Sequence, residues 1–383
     1  MYEIGILGQL SDIDRATLAG TIEGMVAEFG LVVGSHVILH DAAGIADRDV
    51  HSAFAAIYFG APNHPHQGVV RKILQDNAPI IPAIGPAADM TDIPPFLHSL
   101  NALRRRNDDP AMITLAAALL ECVGLLRSQR RLFLSYRRVE SRAAAWQLHD
   151  LLTARGFDVF LDTHDIRPGE PFQDVLWHRL CDSDAMIMLD TPTYFERKWT
   201  RQEFGRALAK EIHVLRVVWP GHRPSRYTDM AETIYLDSQE MEAPEGPIVP
   251  HKADEIVMAV ESLRARSIAA RHRSIAGRLR LEAQRIGATA GGVGPHQVVP
   301  LRMPDDRVIY AYPIVGIPTA ELLNDIENKA RHAGLGDKPA LVYDHVGIRD
   351  AWKAHLKWLD DNIGTVRAIR VAEAAWSLAA WEG

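Results

Sequence analysis

Short apolar runs alternating with longer amphipathic stretches recur along this chain, and no other feature limits its folding as much. Ile4 to Leu7 is followed by a helical pattern from Asp14 to Phe29. The apolar segments VVGSHVILH, AAIYFGAP and APIIPAIG come next, with the helical GVVRKILQDN between the last two. Short apolar runs of this kind fit strands buried on both faces, and an amphipathic stretch between two of them can return the chain across a parallel sheet. The expected class is α/β. DIPPFL and a helix over Pro110 to Leu126 close this region, which sets a first domain at residues 1–126.

The same rhythm returns with clearer punctuation. Leu132 to Tyr136 reads as a strand. Ser141 to Arg155 reads as a helix with Ala144, Ala145, Leu148, Leu151 and Leu152 on its buried side and Gly156 as its C-terminal cap. FDVFLD, AMIMLD, HVLRVVWP and TIYLD supply further strands, with the loop THDIRPGE, a helix over Phe172 to Leu180 and a helix opened by Trp199-Thr200 between them. Five strands with such connections fit a small doubly wound sheet, which binds ligands at the carboxyl ends of its strands. This second domain is expected over residues 129–265. A helical pattern from about Ala253 to Arg285 and the glycine-rich ATAGGVGPH lead to a third α/β domain over residues 275–383. There DRVIYAYPIVGIP and PALVYDHVG read as strands, and AELLNDIENKARHAG, DAWKAHLKWLDDN and VRAIRVAEAAWSLAAW as helices. Trp352, Trp358, Trp376 and Trp381 follow helical phases that assign them to the core. The first region's IYFG…PIIPAIG also echoes the second's MIMLD…HVLRVVW.

The chain's 383 residues, 47% apolar and 24% charged, suffice for such cores. A formal charge of −7 argues against a general nucleic-acid binder, and the basic clusters at Arg104 to Arg106 and Arg127 to Arg138 read as solvated faces. The two cysteines, Cys122 and Cys181, sit in apolar helical patterns and form no disulfide framework or zinc spacing. Acids occupy the start of the chain where a secretory signal needs bases, and no run of about 18 apolar residues escapes interruption by charge. The expected compartment is a reducing cytoplasm, without membrane contact. His64 and His66 have a usable metal spacing but lack a third ligand, so no metal is expected.

KWTRQEF, Lys198 to Phe204, has two readings. As a helix start, Thr200 is the N-cap, Glu203 closes a capping box, and Trp199 packs on Phe204 as a staple. As an active site, Trp199 and Glu203 lie one helical turn apart and place an aromatic wall beside a carboxylate. Asp162 and Asp190, each followed by threonine at a strand end, divide similarly between turn former and substrate contact.

FLSYRR, FDVFLDTHDIRPGEPFQD, a strand ending in LDTPTYFE, and WTRQE, in this order and spacing, resemble the Toll/interleukin-1 receptor (TIR) domain family, especially its bacterial members. The resemblance implies a five-stranded parallel flavodoxin-like domain, flanked here by two further α/β domains. TIR domains are either adaptors or glutamate-dependent NAD+ hydrolases and cyclases. In the enzymatic group the glutamate lies in a Trp-x-x-x-Glu pattern, which corresponds to Trp199 and to Glu203 as the catalytic residue. Tyr136, Arg137 and Arg138 correspond to the first strand's Tyr-Arg-Arg. Asp162 through Phe172, including Gly169, corresponds to the loop that closes over the nucleotide and contacts a neighbouring subunit. With Asp190, these are the expected substrate contacts; the second proline of RPGEPF departs from the pattern and bears on loop closure and on Phe172.

The resemblance further implies NAD+ as substrate with no separate cofactor, and self-association; because an enzyme that destroys a central cofactor must be quiet by default, the outer domains are expected to receive an activating ligand or protein. The chemistry agrees. Nicotinamide in NAD+ is cationic and leaves as a neutral molecule, so one carboxylate can suffice where ordinary glycosidases need two. Glu203 would stabilise the ribosyl cation, and arginine forks suit the pyrophosphate.

Overall fold

The computed structural model describes residues 1–126, 130–161, 172–196, 198–336 and 339–381. The first sheet contains β1 (Tyr2–Gly8), β2 (Val37–His40), β3 (Ala53–Phe59), β4 (Ile80–Ile84) and β5 (Leu103–Arg104), with α1 (Asp12–Ala27), α2 (Gln67–Gln75) and α3 (Ile113–Cys122) as helices. Its order is β2-β1-β3-β4-β5, and every pairing is parallel. All residues of β1 and β3 are buried, which accounts for their apolar sequences. Where β1 ends, Gly8 has φ of +84°, and a Cβ there would lie 1.9 Å from the Phe59 carbonyl oxygen. Only glycine lets these two strand ends approach so closely.

The second sheet contains β6 (Arg131–Ser135), β7 (Asp158–Leu161), β8 (Ala185–Asp190), β9 (His213–Val218) and β10 (Glu232–Tyr235). Its helices are α4 (Arg138–Ala154), α5 (Phe172–Asp182), α6 (Lys198–Ala209) and α7 (Pro250–Arg285). The order β10-β9-β8-β6-β7, again all parallel, repeats the first sheet's order strand for strand. The echo between the two sequences therefore follows from a shared topology, with IYF and MIMLD both on the third strand.

Alternation along β6 assigns its side chains to two layers. Leu132, Leu134 and Tyr136 pack with Ala144 and Leu148 of α4 and Val257 of α7, whereas Phe133 packs with Leu176 of α5 and Phe204 of α6. At the other end of the strands, the fully buried Arg130 grips Glu261 of α7 through two bonds of 3.1 and 2.6 Å. Arg264 reaches Asp184 at 2.9 Å. Arg130 thus departs from the solvated face expected of its basic cluster: it is paired and 0% exposed.

The third sheet contains β11 (Thr289–Ala290), β12 (Val299–Arg302), β13 (Val308–Pro313), β14 (Ala340–Tyr343) and β15 (Arg367–Arg370), with α8 (Ala320–His332), α9 (Asp350–Asn362) and α10 (Ala374–Ala379). It is mixed: β11, β12 and β13 pair antiparallel, and β13, β14 and β15 parallel. VRAIR, expected to be helical, forms the edge strand β15, because its residues gain more from the ladder beside β14 than from a local helix. Trp358 and Trp376, expected in the core, are 59% and 82% exposed, whereas Trp381 is buried. Helical phase alone could not tell a covered face from an open one.

The chain divides into two compact units. One takes its middle as far as Ile268, with Val346–Arg349; the other takes Tyr2–Leu126, Ala269–His345 and the segment from Asp350 onward. Within the second unit the first and third sheets are joined directly. Ile80 N–H donates to Val293 O at 2.9 Å, and a Cβ on Gly292 would lie 2.4 Å from Leu74 Cδ2. The glycines of GGVG therefore allow close packing. Glu121 of α3 accepts hydrogen bonds from His296 Nδ1 at 2.5 Å and from Lys329 of α8 at 2.6 Å.

Candidate active site

In a doubly wound sheet the strand order reverses at a switch point, and here that point lies between β6 and β8. Ser135, Tyr136 and Arg137 leave β6 on one side of it, and Asp190 and Thr191 leave β8 on the other. Glu203 approaches from α6. Its Oε2 accepts a hydrogen bond from Ser135 Oγ at 2.6 Å, and Ser135 Oγ lies 2.6 Å from the Tyr194 hydroxyl. Ser135 and Tyr194 are 0% exposed and Glu203 is 1% exposed, so the carboxylate lies beneath the strand ends and does not open onto a cleft.

Helix α6 begins at Lys198, which makes Thr200 its third residue rather than its N-cap. The Thr200 hydroxyl donates to Tyr194 O at 2.9 Å, and Glu203 turns to Ser135. Thr200 therefore does not stand at the N-cap position that the capping-box reading of KWTRQEF requires. The tertiary partner on β6 has taken the carboxylate that a local cap would use.

Strand alternation separates Ser135 from Tyr136. Ser135 follows Phe133 toward α5 and α6, and the Tyr136 ring lies in the core on the opposite layer, away from Glu203. Arg137 bridges the loop after β8: Nη1 donates to Thr193 O at 2.8 Å and Nη2 to Glu196 at 3.1 Å. Arg138 is exposed at the start of α4. Asp190 is 0% exposed, with Oδ1 at 3.3 Å from His222 Nε2 and Oδ2 without a hydrogen-bond partner. Burial raises its pKa above the usual carboxylate range, and His222 and Arg216 offset only part of this. Asp162 and Gly169 fall outside the described residues, as do the side chains of Phe172 and Trp199.

Residues 132–246 match the family model of the TIR domain. The chain carries a TIR domain. No curated protein matches the chain. The TIR match spans all five strands of the second sheet and includes Ser135, Asp190, Tyr194 and Glu203. Sequence reasoning had assigned no role to Ser135, Tyr194 or His222. Ser135 was recoverable, since the period of two along FLSYRR places it on the Phe133 face with α6. Tyr194 opens a single 3-10 turn, Tyr194–Glu196, and His222 lies in the connection after β9, both too short for a periodic signal to give direction.

Among the described residues, no cluster of His, Cys, Asp and Glu could hold a metal ion. No helix of these residues is long and apolar enough to cross a membrane. The TIR site presents a hydrogen-bonded buried carboxylate, a second buried carboxylate facing histidine, and an arginine-bridged loop at one switch point. Buried carboxylates so placed suit stabilisation of a developing cation.

Proposed function

We propose that the TIR domain is an NAD+ glycohydrolase that cleaves the nicotinamide–ribose bond and yields ADP-ribose or a cyclic ADP-ribose. The observation that carries this reading is Glu203: a carboxylate of the Trp-x-x-x-Glu pattern, held by a side-chain hydrogen bond at the switch point of the sheet. Nicotinamide leaves as a neutral molecule, so no general acid is required. Charge develops on the ribose, and one fixed carboxylate in a sheltered site stabilises it. Arg138, exposed at the start of α4, is assigned the pyrophosphate, and Asp190 is an acceptor for hydroxyls of the substrate. NAD+ is the substrate and no separate cofactor enters. The resemblance to bacterial TIR proteins supports cytoplasmic antiviral defence as the setting.

Glu203 is 1% exposed, so substrate can reach it only after the surrounding elements part. Self-association of TIR domains supplies that rearrangement, and the outer unit, built on the first and third sheets, receives the activating ligand or protein. The same burial favours a second reading, a non-enzymatic TIR adaptor whose glutamate serves the fold. Incubating the full chain with NAD+ over a dilution series and identifying products separates them. The enzyme reading expects nicotinamide in proportion to NAD+ lost, with specific activity rising with protein concentration; intact NAD+ at every concentration and with every activator supports the adaptor.

A further inference from the structure

We propose that Ser135 and Tyr194 are positioning residues for Glu203, forming a hydroxyl relay that fixes the carboxylate in one orientation. The relay rests on the glycohydrolase reading above. Ser135 Oγ–H donates to Glu203 Oε2 at 2.6 Å, and a hydroxyl has a single proton to give. Ser135 Oγ must then accept from the Tyr194 hydroxyl, also at 2.6 Å. The chain of donation runs from Tyr194 through Ser135 to Glu203.

Its members come from three separate elements, so the relay is a product of the tertiary fold. Ser135 ends β6, Tyr194 lies in the turn after β8, and Glu203 is on α6. Tyr194 is held at both ends. Its ring packs edge-on to Phe195 with centroids 4.9 Å apart, and its carbonyl accepts the Thr200 bond that ties it to the first turns of α6. A change in the placement of α6 therefore moves Tyr194 together with the carboxylate, against Ser135 on β6. The three side chains are almost wholly buried, which strengthens each bond and lets one polarise the next. A glutamate with three free torsions would otherwise sample several orientations, and reaction depends on one of them.

The test is steady-state nicotinamide release by the full chain carrying Ser135→Ala, Ser135→Thr, Tyr194→Phe or the Ser135→Ala/Tyr194→Phe pair, with thermal melts of each. Ser135→Ala should lower kcat about tenfold to a hundredfold, the weight of one hydrogen bond to a charged group, with KM within about twofold of wild type. Ser135→Thr, which restores the hydroxyl, should recover most of that loss. Tyr194→Phe keeps the ring and should lower kcat by a smaller factor, and the pair should be no worse than Ser135→Ala because the relay passes through Ser135. Should Ser135→Ala fail to fold, Tyr194→Phe decides alone. Wild-type kcat in Tyr194→Phe, or losses confined to KM, would overturn the relay while an inactive Glu203→Gln leaves the glycohydrolase standing. Full turnover by Glu203→Gln, or no turnover by wild type, would instead remove the reading on which the relay depends.

Discussion

Ser135 Oγ and Glu203 Oε2, 68 residues apart in sequence, are 2.6 Å apart in the fold. This bond joins the first strand of the TIR sheet to α6 and decides how the helix start is built. The glutamate that could have capped its own helix serves the switch point of the sheet instead. A local motif has been overridden by a tertiary contact, and that contact gives the site its chemistry.

Arg137 and Arg138 are adjacent but should behave differently when replaced by alanine. Arg137 bonds the Thr193 carbonyl and Glu196, so Arg137→Ala should loosen the loop after β8 and cost about 1–2 kcal/mol, read in a denaturant melt. Arg138→Ala should raise KM for NAD+. A stable Arg137→Ala protein with raised KM, beside an Arg138→Ala protein with normal kinetics, would exchange their roles.

Asp190 is expected to cost stability at neutral pH. Its pKa in the fold is raised, chiefly by burial, so the folded state resists its ionisation. The cost is absent below the ordinary value of 3.8, grows as pH rises through the folded pKa, and is complete above it. Asp190→Asn should therefore raise Tm at pH 7, and the gain should vanish on acidification below about 4. If Asp190 contacts substrate, KM should rise in the same variant. A lower Tm at pH 7 would show that the His222 pair is net stabilising.

The outer unit depends on Glu121, which receives Lys329 and His296. Burial alone would raise its pKa, but these partners more than offset it, and the pKa in the fold is lowered. Its contribution is present above the ordinary value of 4.5 and is lost as pH falls through the folded pKa. Glu121→Ala leaves the largely buried Lys329 ammonium without this partner and should cost about 3 kcal/mol, lowering the melting transition of the outer unit. An unchanged transition would mean that the two sheets hold together without this ion pair.

The periodic parts of the fold were legible in the sequence. Strands buried on both faces, such as FAAIYF and AMIMLD, announce themselves by unbroken apolar runs, and the motifs of the TIR region fix their order. VRAIR misled because a short edge strand with alternating charge carries a weak signal, and β15 exists only through its partner β14. Within the site, Glu203 and Asp190 were visible as residue types at strand and helix ends. Their burial was not, nor were the partners Tyr194 and His222, which reach the site from connections after β8 and β9 whose course depends on the whole domain; only Ser135, on β6, carried a periodic signal.

The most direct test is nicotinamide release by Glu203→Gln compared with wild type under activating conditions. Glutamine can still accept the Ser135 bond through its amide oxygen, so the fold should persist with Tm within a few degrees of wild type. It cannot supply the negative charge that a ribosyl cation needs, so kcat should fall by at least about a hundredfold. A folded Glu203→Gln protein that cleaves NAD+ at the wild-type rate would contradict the catalytic role of Glu203.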